Sequence, residues 1–396
     1  MAEDTNQQTR HNVYFLGVTS LFNDMATEMA YWVLPAFLMS LGAGPAALGL
    51  IEGIAESVAS IGKLFSGYLA DTYPRRKPIV VFGYALANVV KPLLALSTRW
   101  WHVLGVRFAD RTAKGIRGTS RDVLLSESVP KEKVGSAFGL LQSMDSAGAV
   151  LGPLIALLIL ARTGNLRLVF LMAAVPGAIA ILAALLIRET GTRSKEARTQ
   201  KVPWKLSQLP QRFYFMLAAV LIFSLGNSSD MFLVLRAQEA GIAVKYAPLL
   251  GLVFNLSYTL GAWPVGWLSD RRSKPAIAAV GYVIFAAAYD IFAAAPSRLF
   301  IWVTMAGYGL YYALTSPVLR ALVVETVGPT ERGAAFGLFY FSTSIATLLA
   351  SLLTGQLWKR FGAPLPLYLS AGLALVAAFL LLVRPKSERA DKPSSR

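Results

Sequence analysis

The chain has no cysteine among its 396 residues and only two histidines. The first absence excludes disulfides, zinc–thiolate sites and cysteine nucleophiles. The second excludes a histidine cluster, because His11 and His102 sit at the edges of separate apolar segments. Charge is also scarce: only 15% of residues are Asp, Glu, Lys or Arg and 55% are hydrophobic, where a soluble domain carries roughly a quarter charged residues. Polar segments hold no phosphate-binding glycine loop, nucleophile–base signature or metal motif, so neither an enzyme nor an ATP-driven pump is expected. The N-terminus (MAEDTNQQTRHN) is polar and the apolar run after it is long, so no cleavable leader is expected.

What the chain does have is apolar runs of about twenty residues along nearly its whole length, the span of a bilayer. In lipid each segment must satisfy its own backbone, so such runs are helices. The pattern predicts an all-α membrane protein with twelve transmembrane helices, at 13–41, 45–71, 77–97, 100–127, 133–161, 166–188, 212–237, 246–269, 275–295, 298–326, 332–357 and 364–384. Most turns are short and carry breakers such as Gly44-Pro45, Pro74, Pro296 and Gly362. One long, polar, basic connection follows the sixth span. The expected organisation is an N-terminal segment 1–12, a six-helix bundle 13–188, a linker 189–211, a second six-helix bundle 212–384 and a tail 385–396.

The net charge of +16 would suggest nucleic acid in a soluble protein. Here roughly 22 of the 38 Lys and Arg fall in the N-terminus, the even-numbered connections and the tail, which is the positive-inside pattern. The partner expected from this sorting is the lipid bilayer, not nucleic acid. The predicted setting is a bacterial cytoplasmic (inner) membrane, with both termini and the linker in the cytoplasm and the chain a monomer.

The halves repeat at an offset near 198 residues. GYLADTYPRRKP (67–78) returns as GWLSDRRSKPAI (266–277), GSAFGLLQSMDS (135–146) as GAAFGLFYFSTS (333–344), and Glu127 as Glu325. Parallel six-helix halves are the architecture of alternating access around a midplane site. The segment Gly67…Asp71…Arg75-Arg76-Lys77 resembles the G-x-x-x-D-x-x-x-R-R-K loop signature of the major facilitator superfamily, with a degenerate copy at Gly266…Asp270-Arg271-Arg272. On the fifth span, Gly139, Gly148 and Gly152-Pro153 resemble the G-x8-G-x3-G-P motif of that family's antiporter branch, although the glycine pair that usually follows is absent. Arg111-Thr-Ala-Lys114-Gly115 resembles the R-x-x-Q-G motif, with lysine in place of glutamine. The resemblance implies two pseudo-symmetric six-helix bundles, transport of a small molecule, and gating through Gly67, Asp71, Arg75, Arg76, Asp270 and Arg271. The bland alternative is that the loop bases only enforce topology. Gly139, Gly148, Gly152 and Pro153 would let a neighbouring helix pack closely.

Ionisable residues within the spans are costly and mark function by default. Asp24 and Glu28 lie four apart on the first span, and Glu52 and Glu56 repeat the spacing on the second. Three roles are open to these four: proton carriers, fixed partners of the fourth span's bases, or a cation site. On the fourth span Asp110, Lys114, Arg117 and Arg121 share one face. Asn23, Lys91, Arg111 and Asp145 extend the polar set, while Arg121 and Asp122, level with Asp71, suit a gate. The C-terminal half offers Asn227, Asp230, Asn255, Tyr311 and Arg320. The leading expectation is proton-driven export of a small charged or amphipathic organic compound, needing protons and substrate but no cofactor. An importer of an anionic or zwitterionic metabolite and a transporter of a hard metal cation are the alternatives.

Overall fold

The computed structural model describes residues 2–72, 75–130, 134–189, 209–269, 271–295, 297–327 and 332–383. Within its helices the side chains of 2–10, 63–72, 134–136, 262–263, 266–267, 269 and 332–334 lie outside the description. Most of the linker, the tail and the side chains of Asp71 and Asp270 are therefore not placed.

The described chain is helical throughout, and its helices make twelve spans. Span 1 is α1 (Ala2–Tyr31) and α2 (Leu34–Ser40). Spans 2 to 6 are α3 (Pro45–Thr72), α4 (Lys77–Val90) with a 3-10 continuation (Lys91–Leu96), α5 (Trp100–Glu127), α6 (Val134–Thr163), and α7 (Leu166–Met172) with α8 (Ala174–Leu186). Span 7 is α9 (Gln211–Gly226) and α10 (Met231–Glu239). Spans 8 to 12 are α11 (Ala247–Ser269), α12 (Lys274–Ala294), α13 (Arg298–Thr326), α14 (Arg332–Phe361) and α15 (Pro364–Leu382). Among the described residues seven stretches are long and apolar enough to cross a membrane by length and composition alone, and the charge-bearing α1, α3 and α5 are not among them.

Span 6, expected to be continuous, is interrupted at Ala173 between α7 and α8, and spans 1 and 7 are broken as well. Span 1 interrupts its helix at Trp32-Val33, and span 7 unwinds over 227–230. The positions correspond under the repeat. In span 7 the cause is legible: Gly226-Asn227-Ser228-Ser229 is a run of poor helix formers whose side chains compete for backbone groups. Unwound backbone is tolerated at membrane depth where it is enclosed by protein or lines a cavity.

Helices do not associate in lipid by escaping water, so close contact carries more of the work. Gly148 and Gly152 of α6 lie against the α1 backbone, where an added Cβ would meet Met25 O at 2.6 Å from Gly152. Gly139 has open space instead, so it packs no helix here. The two halves join mainly at the end remote from the N-terminus. There Gly49 of α3 is pressed onto the Ser351 carbonyl of α14, Gly355 lies against Pro45, and Ser57 donates to the Ser344 carbonyl at 3.0 Å. The Trp32 indole occupies the space a side chain at Gly251 would fill. Only glycine permits these approaches.

The opposite end is braced within each half. Arg76 pairs with Glu127, and Lys274 pairs with Glu325 at the repeat-related position. Glu189 accepts from the backbone N–H groups of Arg76 and Lys77, both at 3.0 Å, capping α4.

Candidate translocation site

The acids spaced four apart on α3 meet bases spaced four apart on α5. The two helices run in the same direction, so the rungs stay in register. Glu52 is wholly buried and takes a forked contact from Arg107, 2.8 Å from Nε and 2.7 Å from Nη2. One turn on, Arg111 Nη2 is 3.3 Å from Glu56 Oε1. Forked guanidinium–carboxylate pairs are among the strongest hydrogen-bonded contacts, and severing one inside a protein is expensive.

The network continues sideways. Asp110 lies 3.8 Å from Arg107 Nη1 and 3.5 Å from Lys91 Nζ. Lys91 donates to Asn88 (3.2 Å), Asn88 to Asn23 (3.1 Å), and Asn23 to Asp24 (2.9 Å). Lys91, Arg107, Asp110 and Arg111 are all buried within the N-terminal bundle. Arg117 is buried against the Tyr84 ring, 4.4 Å from its centroid, whereas Lys114 on the same helix is exposed. Nearer the N-terminal end, Arg121 contacts Asp122 (3.0 Å), Ser20 (3.1 Å) and Asp145 (3.8 Å).

Glu28 is placed differently. One of its oxygens accepts from Trp32 Nε1 at 2.6 Å and from Asn255 Nδ2 at 3.3 Å. Asn255 belongs to the other half and also donates to the Ala149 carbonyl at 3.0 Å. Glu28 thus sits on the seam between the bundles and, among the described residues, forms no ion pair.

The C-terminal half brings its polar groups to the unwound turn of span 7. Asp230 accepts from Tyr308 OH at 2.6 Å. Ser229 donates to Glu52 across the seam at 3.4 Å. A cavity of about 240 Å³ lies here, bounded by Glu56, Asn227, Asp230, Tyr31 and Tyr312 together with serine and threonine side chains of α3, the turn and α14. Of its lining residues, Ser60 and Thr343 lie on the N-terminal side of the Ser57–Ser344 contact, Ser344 belongs to that contact, and Glu56 and Thr347 lie beyond it.

Other residues singled out in the sequence lie elsewhere. Tyr311 is buried among Phe223, Phe285 and Tyr308, and its neighbour Tyr312 faces the cavity instead. Arg320 is exposed and its Nε donates to the Ser316 carbonyl one turn back (3.1 Å). Arg75 and Arg271 are exposed and Arg76 is buried, while Gly67, Asp71 and Asp270 fall among the side chains not described. Trp32 and the serines of the span 7 turn join the site without having been expected there. The spacing of Trp32 four residues after Glu28 was the available signal for the first, and the helix-poor run for the last.

Comparison with known proteins gives a consistent result. The sequence model of the Major Facilitator Superfamily matches residues 16–315 and 215–396. The uncharacterized MFS-type transporter MJ1317 of Methanocaldococcus jannaschii is 34% identical over 386 residues, 96% of each chain. The multi-drug resistance efflux pump PmrA of Streptococcus pneumoniae is 26% identical, covering 82% of this chain and 84% of the pump. Among solved structures, a point mutant of the nucleoside transporter NupG superposes with a TM-score of 0.78 at 15% identity, covering 93% of this chain and 98% of that one. At that identity the likeness is one of fold.

Proposed function

Because the chain belongs to the major facilitator superfamily, we propose that it is a proton-coupled exporter of a small charged or amphipathic organic compound, working by alternating access. The observation that carries the reading is Glu28: a membrane-embedded carboxylate on the seam between the bundles, held by a Trp and an Asn rather than by a base. Its neighbours Glu52 and Glu56 have arginine partners and serve as counter-ions. A charged Glu28 accepts from Asn255 and ties the halves together. A protonated Glu28 accepts more weakly and frees the seam to open. The proton's affinity must then differ between the two access states, which is the differential interaction that coupling requires.

With the termini in the cytoplasm of a bacterial inner membrane, the closed end faces outward. Export is favoured by the relationship to a pump named for drug efflux, and by the antiporter-like glycines on α6. Of Lys91, Lys114 and Arg117, the bases an anionic cargo would call on, Lys91 is engaged by Asp110 and Arg117 by the Tyr84 ring, which weakens the case for import. The decisive assay reconstitutes the chain in vesicles carrying an internal pH dye and screens organic solutes under an imposed proton gradient. Export coupling predicts that a transported solute and protons move in opposite directions. Solute movement indifferent to the gradient, with no proton flux, would overturn it.

A further inference from the structure

The cavity beside the span 7 turn has a lining that specifies a chemistry. It presents seven hydroxyl-bearing side chains, the Asn227 amide and two carboxylates, Glu56 and Asp230, with no aliphatic side chain among them. Such a surface suits a ligand that is itself well hydrated. Its 240 Å³ is below the ~300 Å³ at which pockets for drug-sized molecules begin.

The charges differ in their commitments. Glu56 has Arg111 at 3.3 Å. Asp230 has a hydrogen bond from Tyr308 and, among the described residues, no ion pair. Asp230 is therefore the carboxylate of this wall that has no basic side chain beside it among the described residues, and when ionised it carries a negative charge that an arriving cation would offset. Asn227 Oδ1 is enclosed yet has no hydrogen-bond donor, so a second acceptor on the same turn also lacks its partner. Tyr31 and Tyr312 line the space, the Tyr31 ring already holding the Arg107 guanidinium 5.6 Å from its centroid on one side, and aromatic faces attract cations. Anionic cargo meets only repulsion from Asp230.

Resting on the transport reading above, and naming the chemistry of its cargo, we propose that this cavity binds a small hydroxylated organic ammonium ion. The ammonium group pairs with Asp230 beside the tyrosine rings. The hydroxyls and remaining N–H donors are met by Asn227 and the serine and threonine side chains.

The test is equilibrium binding to the purified full-length chain without any gradient, so that a failure of proton coupling leaves it unaffected and its own failure leaves coupling standing. Choline and ethanolamine are titrated by calorimetry beside their uncharged counterparts, 3,3-dimethylbutan-1-ol and ethylene glycol. Both cations are expected to bind saturably and in competition, with the uncharged pair weaker by roughly tenfold or more. Asp230→Asn keeps an acceptor for Tyr308. It should weaken the cations by roughly tenfold or more and leave the uncharged compounds unmoved, with ligand-free melting reporting on its fold. Tyr312→Phe should retain choline binding, whereas Tyr312→Leu should lose it severalfold. Equal binding of charged and uncharged partners, full cation affinity in a folded Asp230→Asn protein, or no saturable binding of either cation would each overturn the proposal.

Discussion

The acids at the heart of this protein look alike in sequence and differ in their company. Glu52 gives both oxygens to one arginine inside the N-terminal bundle and also accepts from Ser229 across the seam, while Glu28 accepts from a tryptophan and an asparagine and, among the described residues, forms no ion pair. Their amides should therefore behave in opposite ways. Glu52→Gln leaves the Arg107 guanidinium short of its partner at a buried site, a loss of about 3–5 kcal/mol. It should melt well below wild type in detergent, whatever its transport activity. Glu28→Gln removes no ion pair and keeps an acceptor for both donors, so its melting temperature should stay near wild type. Equal stability of the two variants would mean that the Glu52–Arg107 pair is not the structural anchor described here.

At the scale of the element, three features matter: glycines on the seam, the paired breaks in spans 1 and 7, and the braced loop ends. Gly49 admits the Ser351 carbonyl of α14, so a side chain there wedges the closed end apart. Because the chain has no cysteine, a single reporter can be introduced cleanly at Ser57, which is buried on the same seam. Gly49→Val should raise the labelling rate of Ser57→Cys by an impermeant maleimide severalfold. An unchanged rate would show that closure does not depend on this contact. Much of this scale was legible in the sequence. The spans were, because a bilayer imposes length and hydrophobicity together; the predicted fourth span and α5 coincide at 100–127. Gly148 and Gly152 were also legible as packing positions, while Gly139, with the same motif spacing, faces open space. The break in span 1 was not, because hydropathy averages over the few residues that unwind, and the one in span 7 shows only as a run of poor helix formers. Nor were the partners of the acids: periodicity puts Glu52 and Glu56 on one face, but only three-dimensional packing sets Arg107 and Arg111 opposite them.

The whole molecule is two related bundles closed at one end, with internal ion pairs at repeat-related positions bracing the other. Arg76–Glu127 and Lys274–Glu325 are formed within their own halves, so each bundle can move as a unit without breaking them. The orientation follows from the basic connections: reporter fusions at residue 200 and at residue 392 should both locate to the cytoplasm, and either one outside would reverse the direction assigned to transport. In the proposed mechanism Glu28 is the point where proton binding and bundle movement meet. The measurement that tests this most directly compares two activities in the same Glu28→Gln vesicles, pH-driven accumulation and gradient-free counterflow exchange of one substrate. With the seam carboxylate carrying the proton, accumulation should be abolished while exchange persists at a rate close to wild type. Accumulation against a gradient with wild-type pH dependence would contradict the account.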